Sequence, residues 1–395
     1  MQELIRKAAK DRFAEFLIEC GRAFPNYIQV RYTKKINPIL AVIYICIFIV
    51  GGLLAILFFS KSKKGKYFFQ GSRFPDIHNL FPPERVVIIG GIKDLRYARS
   101  KGYGFHWDGY IRKLFNIFYY LQFRIAFDTL FFIVRNLLGR QIGVQGKLFL
   151  FEDTVQIGVP LVTILRDITP VVCIAHGFFS KANDGFHVVC DGDLCSFNFI
   201  YEDYQKNFYY KNKEKCFALG LPYEVPLLNG ASREIVLVEQ STTDMPEEYI
   251  LCLNCMRSLA EILKSYGYEF TYRSRSGVEP PLIMKGLCSI HNGDKMELLG
   301  GARKIFIGFN STLLYEAGVV GHVTIGLNDD MLSYTRAYPV DYFISKIEIG
   351  LIKSIVDEAF VRLNTPNLKK NESLSTRFSK CLSMMDDNLV SDKKN

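Results

Sequence analysis

The stretch that decides the fold is "ARKIFIGFNSTLLYEAGVVGHVTIGL", residues 302–327. An apolar run ends at Gly308, a helical period of apolar residues begins at Leu313, and a second apolar run begins at Val323. A strand, a helix and a further strand in this order are typical of a parallel sheet. We therefore predict that "GFNST" connects a buried strand to the start of a helix.

The same alternation of strand and helix runs along most of the chain. The other strand-like runs are 85–91, 147–153, 170–177, 186–192, 216–224, 233–241 and 268–276. The rhythm pauses at 226–232 and then starts again, so we predict an α/β protein with two successive Rossmann-like domains, 84–225 and 226–365. The last segment, 366–395, is rich in Lys, Asn, Ser and Asp and is predicted to be a disordered tail.

The N-terminal part is basic and contains one long apolar segment. The net charge of +9 arises in the first 75 residues, where 13 Lys and Arg stand against four Asp and Glu, a difference of nine. Residues 38–59 carry no charge, and at about 1.5 Å per residue they can cross a hydrocarbon core of roughly 30 Å. We predict one transmembrane helix at 38–60, after a basic amphipathic segment at 1–37 and before a linker at 61–83.

The composition also suggests a compartment and a class of partner. The ten cysteines have no regular spacing, and a lone CxxC at Cys252 and Cys255 lies in a helical pattern, which indicates reduced packing thiols and domains that face the cytoplasm. We predict a single-pass protein of the inner (cytoplasmic) membrane. Flanking charges do not decide its orientation.

The aromatic segment 110–139 is predicted to be an amphipathic helical pair in the domain or on the membrane. Nucleic acid is not an expected partner, because basic and aromatic residues are not interleaved.

The connection after the first quoted strand carries candidate donor-binding residues. Ligands of parallel sheets bind beyond the carboxyl ends of strands, where helices begin. Gly308 would allow close backbone approach, Asn310 or Ser311 would cap the helix, and the exposed N–H groups with the Ser311 and Thr312 hydroxyls would hold an anion such as a diphosphate. Glu316, one turn further, would accept hydrogen bonds from ribose hydroxyls. The alternative is an ordinary capped helix with an exposed Glu.

Two other strand ends in the second domain carry polar groups. Arg273 and Arg275 lie on one face of an extended chain, where two guanidinium groups could bind phosphate or a sugar carboxylate. Gln240 and Ser241 end the preceding strand and would face the same ligand. A solvated strand end explains the two arginines equally well.

The first domain holds ionisable groups at two strand ends. Glu152 or Asp153 could remove a proton from an attacking hydroxyl, and His176 could bind or protonate a leaving phosphate. A structural role for His176 is the alternative. Asp191 and Asp193 are typical of a turn, so we predict no metal site, and the absence of GxSxG argues against nucleophilic hydrolysis.

The order of these fragments resembles the GT-B glycosyltransferases of bacterial surface polysaccharide synthesis. This group includes capsular polysaccharide transferases, polysialyltransferases and the glycerophosphotransferases of teichoic acid assembly. The resemblance spans roughly residues 84–350 and is carried by "FED" at 151–153, "IAHG" at 174–177, "ALGLPY" at 218–223 and "IGFNSTLLYEA" at 307–317.

The resemblance implies a role for each domain. The first would bind the acceptor, with Glu152 or Asp153 as the base. The second would bind the nucleotide donor, with Ser311 and Thr312 at the phosphates and Glu316 at the ribose.

The chain departs from the resemblance at one strand end. Several relatives end the second strand of the donor domain with a His-Pro pair, whereas this chain has "YRSRSG". Arg273, Arg275 or His176 would have to replace that pair.

The expected function is transfer of a sugar from a nucleotide-sugar donor to a surface polysaccharide or a lipid-linked glycan at the membrane. Neither a metal nor another cofactor is expected. Two alternatives stay open beside it. One is polyol-phosphate transfer from a CDP-glycerol-type donor, and the other is a non-catalytic scaffold in a polysaccharide assembly complex. An epimerase or a further activity is a smaller alternative.

Overall fold

The chain forms two compact α/β units. The computed structural model describes residues 38–54, 67–109, 146–151, 161–162, 165, 168–175, 180–182, 195–208, 213–240, 246–274, 280–328, 330, 332, 334–336, 338–365 and 372–392. The first unit comprises Met1–His176, Val189–Tyr223 and Leu374–Asn395, and the second comprises Gly177–Val188 and Glu224–Ser373. The predicted boundary at 225–226 lies two residues after the passage into the second unit at Glu224, but the segment Gly177–Val188, predicted to belong to the first domain, is part of the second unit.

Strands and helices alternate in both units. The strands are β1 Tyr67–Gln70, β2 Val86–Gly90, β3 Gly104–Trp107, β4 Lys147–Leu150, β5 Val171–Ile174, β6 Ser180–Ala182, β7 Phe197–Ile200, β8 Cys216–Ala218, β9 Leu228–Val238, β10 Phe270–Arg273, β11 Ser289–His291, β12 Gly301–Gly308, β13 Val323–Leu327, β14 Tyr334–Arg336 and β15 Tyr342–Ile344. The α-helices are α1 Pro38–Leu54, α2 Pro75–His78, α3 Ile92–Lys101, α4 Pro246–Ser265, α5 Lys295–Leu299, α6 Thr312–Val320, α7 Ile349–Leu363 and α8 Leu374–Asp392.

The first unit is built on a parallel sheet with the strand order β3-β2-β1-β4-β5-β7-β8. Its core is aromatic, and Phe69, Phe149 and Phe199 are fully buried in it. The second unit has a parallel sheet with the order β11-β10-β9-β12-β13-β15. Helices α4 and α7 contribute mainly aliphatic side chains to its core. Both sheets are Rossmann-like, so the predicted fold class is confirmed for the two α/β domains.

The predicted linker at 61–83 is wrong where the structure describes it. Within it, β1 pairs with β2 on one side and with β4 on the other, so it lies inside the first sheet. Phe68 and Phe69 are buried. The pattern was missed because a four-residue strand between lysines and a Gly-Pro-rich turn has no local periodicity, and its burial depends on two strands that follow it in sequence.

The predicted disordered tail at 366–395 is also wrong for residues 374–392. These residues form α8, and Leu374, Phe378, Cys381 and Met385 lie buried in the core of the first unit. Their spacing of four, three and four residues is a helical stripe. The polar composition between them concealed it.

One side chain on α8 also binds the end of the first unit. The guanidinium of Arg377 donates to the carbonyl oxygens of Leu219 at 2.7 Å, Leu221 at 2.7 Å and Tyr223 at 3.0 Å. These carbonyls belong to the segment that leads into the second unit. The last helix is therefore part of the first unit's fold.

The apolar segment predicted to span the membrane coincides with α1 over Pro38–Leu54. Several of its apolar side chains are exposed, among them Ile39, Val42 and Leu53. Within the part of the chain that the structure describes, no helix has both the length and the apolar character needed to cross a bilayer. The segments 1–37 and 110–139 lie outside the described residues.

Candidate functional site

The strand order of the second unit creates a crossover point between β9 and β12. From β9 the chain continues to β10 on one side, and from β12 it continues to β13 on the other. The loops that follow β9 and β12 therefore diverge at the carboxyl edge of the sheet. In open parallel sheets this edge is the usual place for a ligand. The residues that follow these two strands are Glu239 and Gln240 after β9, and Phe309 to Ser311 after β12.

Helix α6 begins at this crossover point. Ser311 is its N-cap residue, but the Ser311 side chain makes no capping hydrogen bond, and the first turn contains no acidic residue. The Ser311 carbonyl accepts from the N–H of Leu314 at 3.0 Å and from the hydroxyl of Tyr338. The prediction that a side chain caps this helix is therefore wrong for Ser311. The positive end of α6 is not neutralised by an acidic residue of its own first turn.

Gly308 has a packing role that the sequence analysis did not identify. It pairs with Val238 across β12 and β9. A Cβ at position 308 would lie 3.2 Å from the Cβ of Val238 and 3.3 Å from its carbonyl oxygen. The close backbone approach at Gly308 is therefore made to the neighbouring strand.

Glu316 is buried and paired, whereas the alternative interpretation made it exposed. Only 3% of its side-chain surface is exposed, and the ammonium of Lys295 lies 2.6 Å from Oε1 and 2.9 Å from Oε2. Glu316 is four residues after Thr312, which places both on one face of α6. Sequence reasoning missed Lys295, because no pattern links the start of α5 to the second turn of α6.

Arg273 is a buried cation at the carboxyl end of β10. It is 8% exposed, and its guanidinium donates to the carbonyl oxygen of His291 at 3.2 Å. Within the described residues, no carboxylate oxygen lies within 4.0 Å of it. Burial lowers its pKa below the ordinary value, and the charges of Asp294, Glu239 and Glu297 oppose this shift. A buried guanidinium without an adjacent carboxylate is well suited to an anionic ligand.

The strand end after β9 holds one satisfied and one unsatisfied polar group. Glu239 Oε1 accepts from the hydroxyl of Tyr249 at 2.8 Å, and burial together with this carboxylate raises the pKa of Tyr249 to about 12. The side-chain oxygen of Gln240 is buried and has no hydrogen-bond partner in the described structure. A buried amide oxygen without a hydrogen-bond donor destabilises the fold. A hydroxyl or N–H group of a ligand would supply the missing donor.

The loop before α6 is held by two side chains from the following segment. Arg336 donates to the carbonyl of Phe309 at 3.4 Å, and its guanidinium lies 5.3 Å from the ring centre of Phe343. The ring of Tyr338 packs edge-on against Tyr315, with ring centres 5.5 Å apart. These contacts fix where α6 begins.

The first unit has a polar strand end of its own that sequence reasoning missed. Gln70 ends β1 and is 5% exposed, and its Oε1 accepts from the N–H of Phe151 at 3.2 Å. Its Nε2 is buried and has no partner in the described structure. Phe151 follows β4 and directly precedes Glu152 and Asp153. No sequence signal marked Gln70, because its strand was itself missed.

Several predicted site residues lie outside the described residues: Glu152, Asp153, His176, Ser241 and Arg275. Their roles remain predictions. The structure brings Gln240, Arg273, Gly308, Asn310, Ser311, Thr312 and Glu316 to the strand ends and first helical turns of the second unit. In the described part of the chain, His, Cys, Asp and Glu do not form a group of three able to hold a metal ion.

Comparison with solved structures shows the fold. A protein from Listeria monocytogenes assigned as a UDP-N-acetylglucosamine 2-epimerase is 11% identical, with 83% of this chain and 97% of that chain covered and a TM-score of 0.51. No protein-family model and no curated protein matches the sequence.

Two other solved structures have TM-scores below 0.5. One is the UDP-GlcNAc 2-epimerase of Methanocaldococcus jannaschii with UDP-GlcNAc and UDP, at 11% identity, coverage of 80% and 99%, and a TM-score of 0.47. The other is the wall teichoic acid polymerase TagF soaked with CDPG, at 10% identity, coverage of 89% and 98%, and a TM-score of 0.47. At these identities only the fold follows, and it follows from the Listeria structure.

Proposed function

We propose that this chain is a membrane-anchored glycosyltransferase that moves a sugar from a nucleotide-sugar donor to a surface polysaccharide or a lipid-linked glycan. The observation that carries the proposal is the start of α6. This helix begins at the crossover point of the second sheet without a side-chain cap from Ser311 and without an acidic residue in its first turn. Backbone N–H groups in that position bind phosphate.

Two further groups in the second unit support a nucleotide donor. The Arg273 guanidinium has no carboxylate within 4.0 Å in the described structure and would pair with a phosphate. The buried oxygen of Gln240 would accept from a ribose hydroxyl or from an N–H of the base. Glu316 would bind the ribose. Ser311 and Thr312 would add hydroxyl donors to the phosphates, and Ser241 and Arg275 would complete the donor site.

The chemistry follows from these roles. Glu152 or Asp153 would take the proton of an acceptor hydroxyl, and that oxygen would form a bond to the anomeric carbon of the donor sugar. The bond from this carbon to the phosphate oxygen would break, and the electron pair would leave with the nucleotide. Fixed N–H groups at α6 and Arg273 would stabilise the charge that develops on the leaving phosphate. His176 would bind or protonate it.

Membrane attachment belongs to the proposal as well. The uncharged helix α1 and the lysines that flank its segment in the sequence support it. We propose an inner-membrane location with the catalytic units in the cytoplasm, where lipid-linked acceptors would be reached.

Transfer and donor hydrolysis by the purified full-length chain would test the activity, across UDP-, GDP-, CMP- and TDP-sugars and CDP-glycerol. We expect nucleotide release with one nucleotide-sugar and its loss in Arg273→Ala. Arg257→Ala is a matched control, because Arg257 forms an exposed pair with Glu261 on α4 of the same unit. Activity with CDP-glycerol alone would indicate polyol-phosphate transfer.

A second measurement separates an enzyme from a scaffold. Glu152→Gln, Asp153→Asn and His176→Ala should each lower transfer, and the first two should leave nucleotide binding in place. If no donor reacts and calorimetry detects no nucleotide binding, the transferase proposal fails. Polymer formation that survives all three substitutions would support the scaffold instead.

A further inference from the structure

Helix α3 of the first unit has an exposed basic face. Ile92, Arg96 and Arg99 are spaced by four and three residues, so they share one stripe of the helix. All three are exposed, and 70% of the surface of Ile92 is accessible to solvent. Lys93, which lies beside this stripe, is exposed as well. The outer face of α3 therefore presents three cations around one apolar side chain.

The cations of this face are not used inside the protein. In the part of the chain that the structure describes, the side chains of Lys93, Arg96 and Arg99 form no ion pair and no hydrogen bond. The acidic residue of α3, Asp94, lies on the opposite side of the helix, where it accepts from the N–H and the hydroxyl of Ser72. The outer face is therefore positive and complements an anionic surface.

The opposite face fixes α3 on the first sheet. The helix packs against β2 and β3, Ala98 is fully buried, and Leu95 and Tyr97 pack against the core of the unit. The basic face is therefore held by a packed element, and the backbone loses no further conformational freedom when this face binds a partner.

The end of α3 and the entry of the chain from α1 lie at the same edge of the first sheet. Tyr67, the first residue of β1, pairs with Val86 at the start of β2, and Gly104, which closely follows α3, pairs with Val87. Residues 55–66 connect α1 to β1, and a fully extended chain of this length spans about 40 Å at most. A bilayer that α1 enters is therefore within reach of α3.

We propose that the outer face of α3 binds the anionic lipid headgroups of the membrane to which the chain is attached. Basic groups close to a bilayer are attracted to anionic lipids, and an exposed Ile92 would enter the boundary between headgroups and acyl chains. A nucleic-acid backbone would satisfy the cations but not this apolar side chain, so lipid is the favoured partner. The inference rests on the membrane attachment in the proposed function. It adds a second contact with the membrane, made by the first unit itself.

Tryptophan quenching on the full chain tests the inference. The variant Ile92→Trp is placed in nanodiscs whose phosphatidylcholine is brominated near the headgroup, with and without phosphatidylglycerol. The unaltered chain, which contains only Trp107, supplies the background. We expect quenching about twofold above that background with the anionic lipid, and none above it with the zwitterionic lipid alone. Salt at about 1 M, where the Debye length is about 3 Å, should abolish the quenching.

Two pairs of substitutions in the Ile92→Trp chain separate the basic face from net charge. Arg96→Gln with Arg99→Gln should return the quenching to background, and stability should be unchanged because both residues are exposed. Arg257→Gln with Lys353→Gln removes as many positive charges from exposed ion pairs of the second unit and should leave the quenching in place.

A tryptophan elsewhere on the surface controls for position. Val361 lies on α7 of the second unit and is 72% exposed, close to the value for Ile92. Val361→Trp should show no quenching that depends on phosphatidylglycerol. If it is quenched as strongly as Ile92→Trp, proximity to the bilayer is general and the role of α3 is overturned.

The outcomes separate this inference from the membrane attachment. Release of the unaltered chain from vesicles by alkaline carbonate overturns the attachment and the inference with it. Retention of the chain, with equal quenching of Ile92→Trp in the two lipid mixtures, overturns the inference alone. Quenching that survives Arg96→Gln with Arg99→Gln has the same consequence. Binding of a single-stranded oligonucleotide that this double variant loses, together with unquenched Ile92→Trp, would assign the face to nucleic acid instead.

Discussion

The two units share a strand order, but helix α3 of the first unit and helix α6 of the second differ in how their N-termini are satisfied. In both sheets the third, second, first, fourth, fifth and sixth strands lie in that spatial order. In the first unit, α3 has Asp94 in its first turn, and the carboxylate accepts from the N–H of Gly91 at 2.9 Å. In the second unit, α6 has no acidic residue in its first turn and no side-chain cap from Ser311.

The difference separates a structural helix terminus from one suited to a ligand. Asp94 also accepts from the N–H of Ser72 at 2.9 Å and from the Ser72 hydroxyl at 2.8 Å, so it ties the loop after β1 to the loop after β2. An anion at α3 would compete with this carboxylate. An anion at α6 would meet a positive helix end instead. Helix α3 therefore carries an anion of its own at its N-terminus, whereas the first turn of α6 carries none.

Removing the ring of Phe378 should have the largest effect. This ring is buried on α8 among Phe81, Phe149 and Phe199, and such aromatic truncations cost about 3–5 kcal/mol. We expect Phe378→Ala to destabilise the first unit by this amount in denaturant unfolding. Val390→Ala on the exposed side of the same helix is the control and should change stability by less than about 0.5 kcal/mol. Equal, small effects of both would mean that α8 does not complete the first core.

How much could be predicted from sequence depended on how local the signal was. The start of α6 was predicted because strand, turn and helix follow one another within 302–327. Strand β1 was not predicted, because its four residues are buried only by pairing with β2 and β4. Helix α8 was not predicted for a related reason, since its apolar stripe packs into a core formed by residues far away in sequence.

In the candidate site, too, the residues with a local sequence signal were predicted and the contacts between distant segments were not. Arg273 and Gln240 were identified from their positions at strand ends, which sequence periodicity locates. The pair of Lys295 with Glu316 joins two helices, and the hydrogen bond from the N–H of Phe151 to the Gln70 side chain joins the ends of β4 and β1. Contacts of this kind depend on tertiary packing and leave no local pattern.

Acid should destabilise both units through a buried histidine whose pKa is lowered, His78 in the first unit and His322 in the second. Burial lowers the pKa of His78 in the first unit to about 3 and that of His322 in the second to about 4, whereas an unfolded histidine has a pKa near 6.5. Below pH 6.5 each histidine is protonated in the unfolded chain but stays neutral in the folded chain. Stability should therefore be full above that pH and fall by about 1.4 kcal/mol per pH unit for each histidine between pH 6 and 4.5.

Thermal unfolding between pH 7 and 4.5 measures this slope, and two single variants show how much of it each histidine causes. His78→Gln should remove the part that arises in the first unit and His322→Gln the part from the second. A slope that survives in the double variant would place the acid sensitivity in other groups.

Giving α6 the acidic residue that α3 already has should abolish the difference between them. Thr312→Asp places a carboxylate at the first position of α6, where it favours the helix by about 0.3–1 kcal/mol but repels a bound anion. We expect nucleoside diphosphate affinity to fall at least tenfold while the melting temperature is unchanged or higher. Thr312→Asn has the same shape without the charge and is the control. Equal affinity in both variants would contradict anion binding at this helix.

Removing the acidic residue of α3 should have the smallest effect: stability should fall slightly, and nucleotide affinity should not change. Asp94→Ala removes the acceptor for the N–H of Gly91 and for both donors of Ser72, and loss of such a cap costs about 1 kcal/mol. Asp94→Asn keeps an oxygen that can accept and should lose less. Nucleoside diphosphate affinity should not change in either variant, because the carboxylate organises two loops of the first unit and the donor is proposed to bind the second. If Asp94→Ala gained nucleotide affinity, α3 would bind anions as readily as α6 once its own carboxylate is removed. The absence of an acidic residue, and not the crossover position, would then decide where an anion binds.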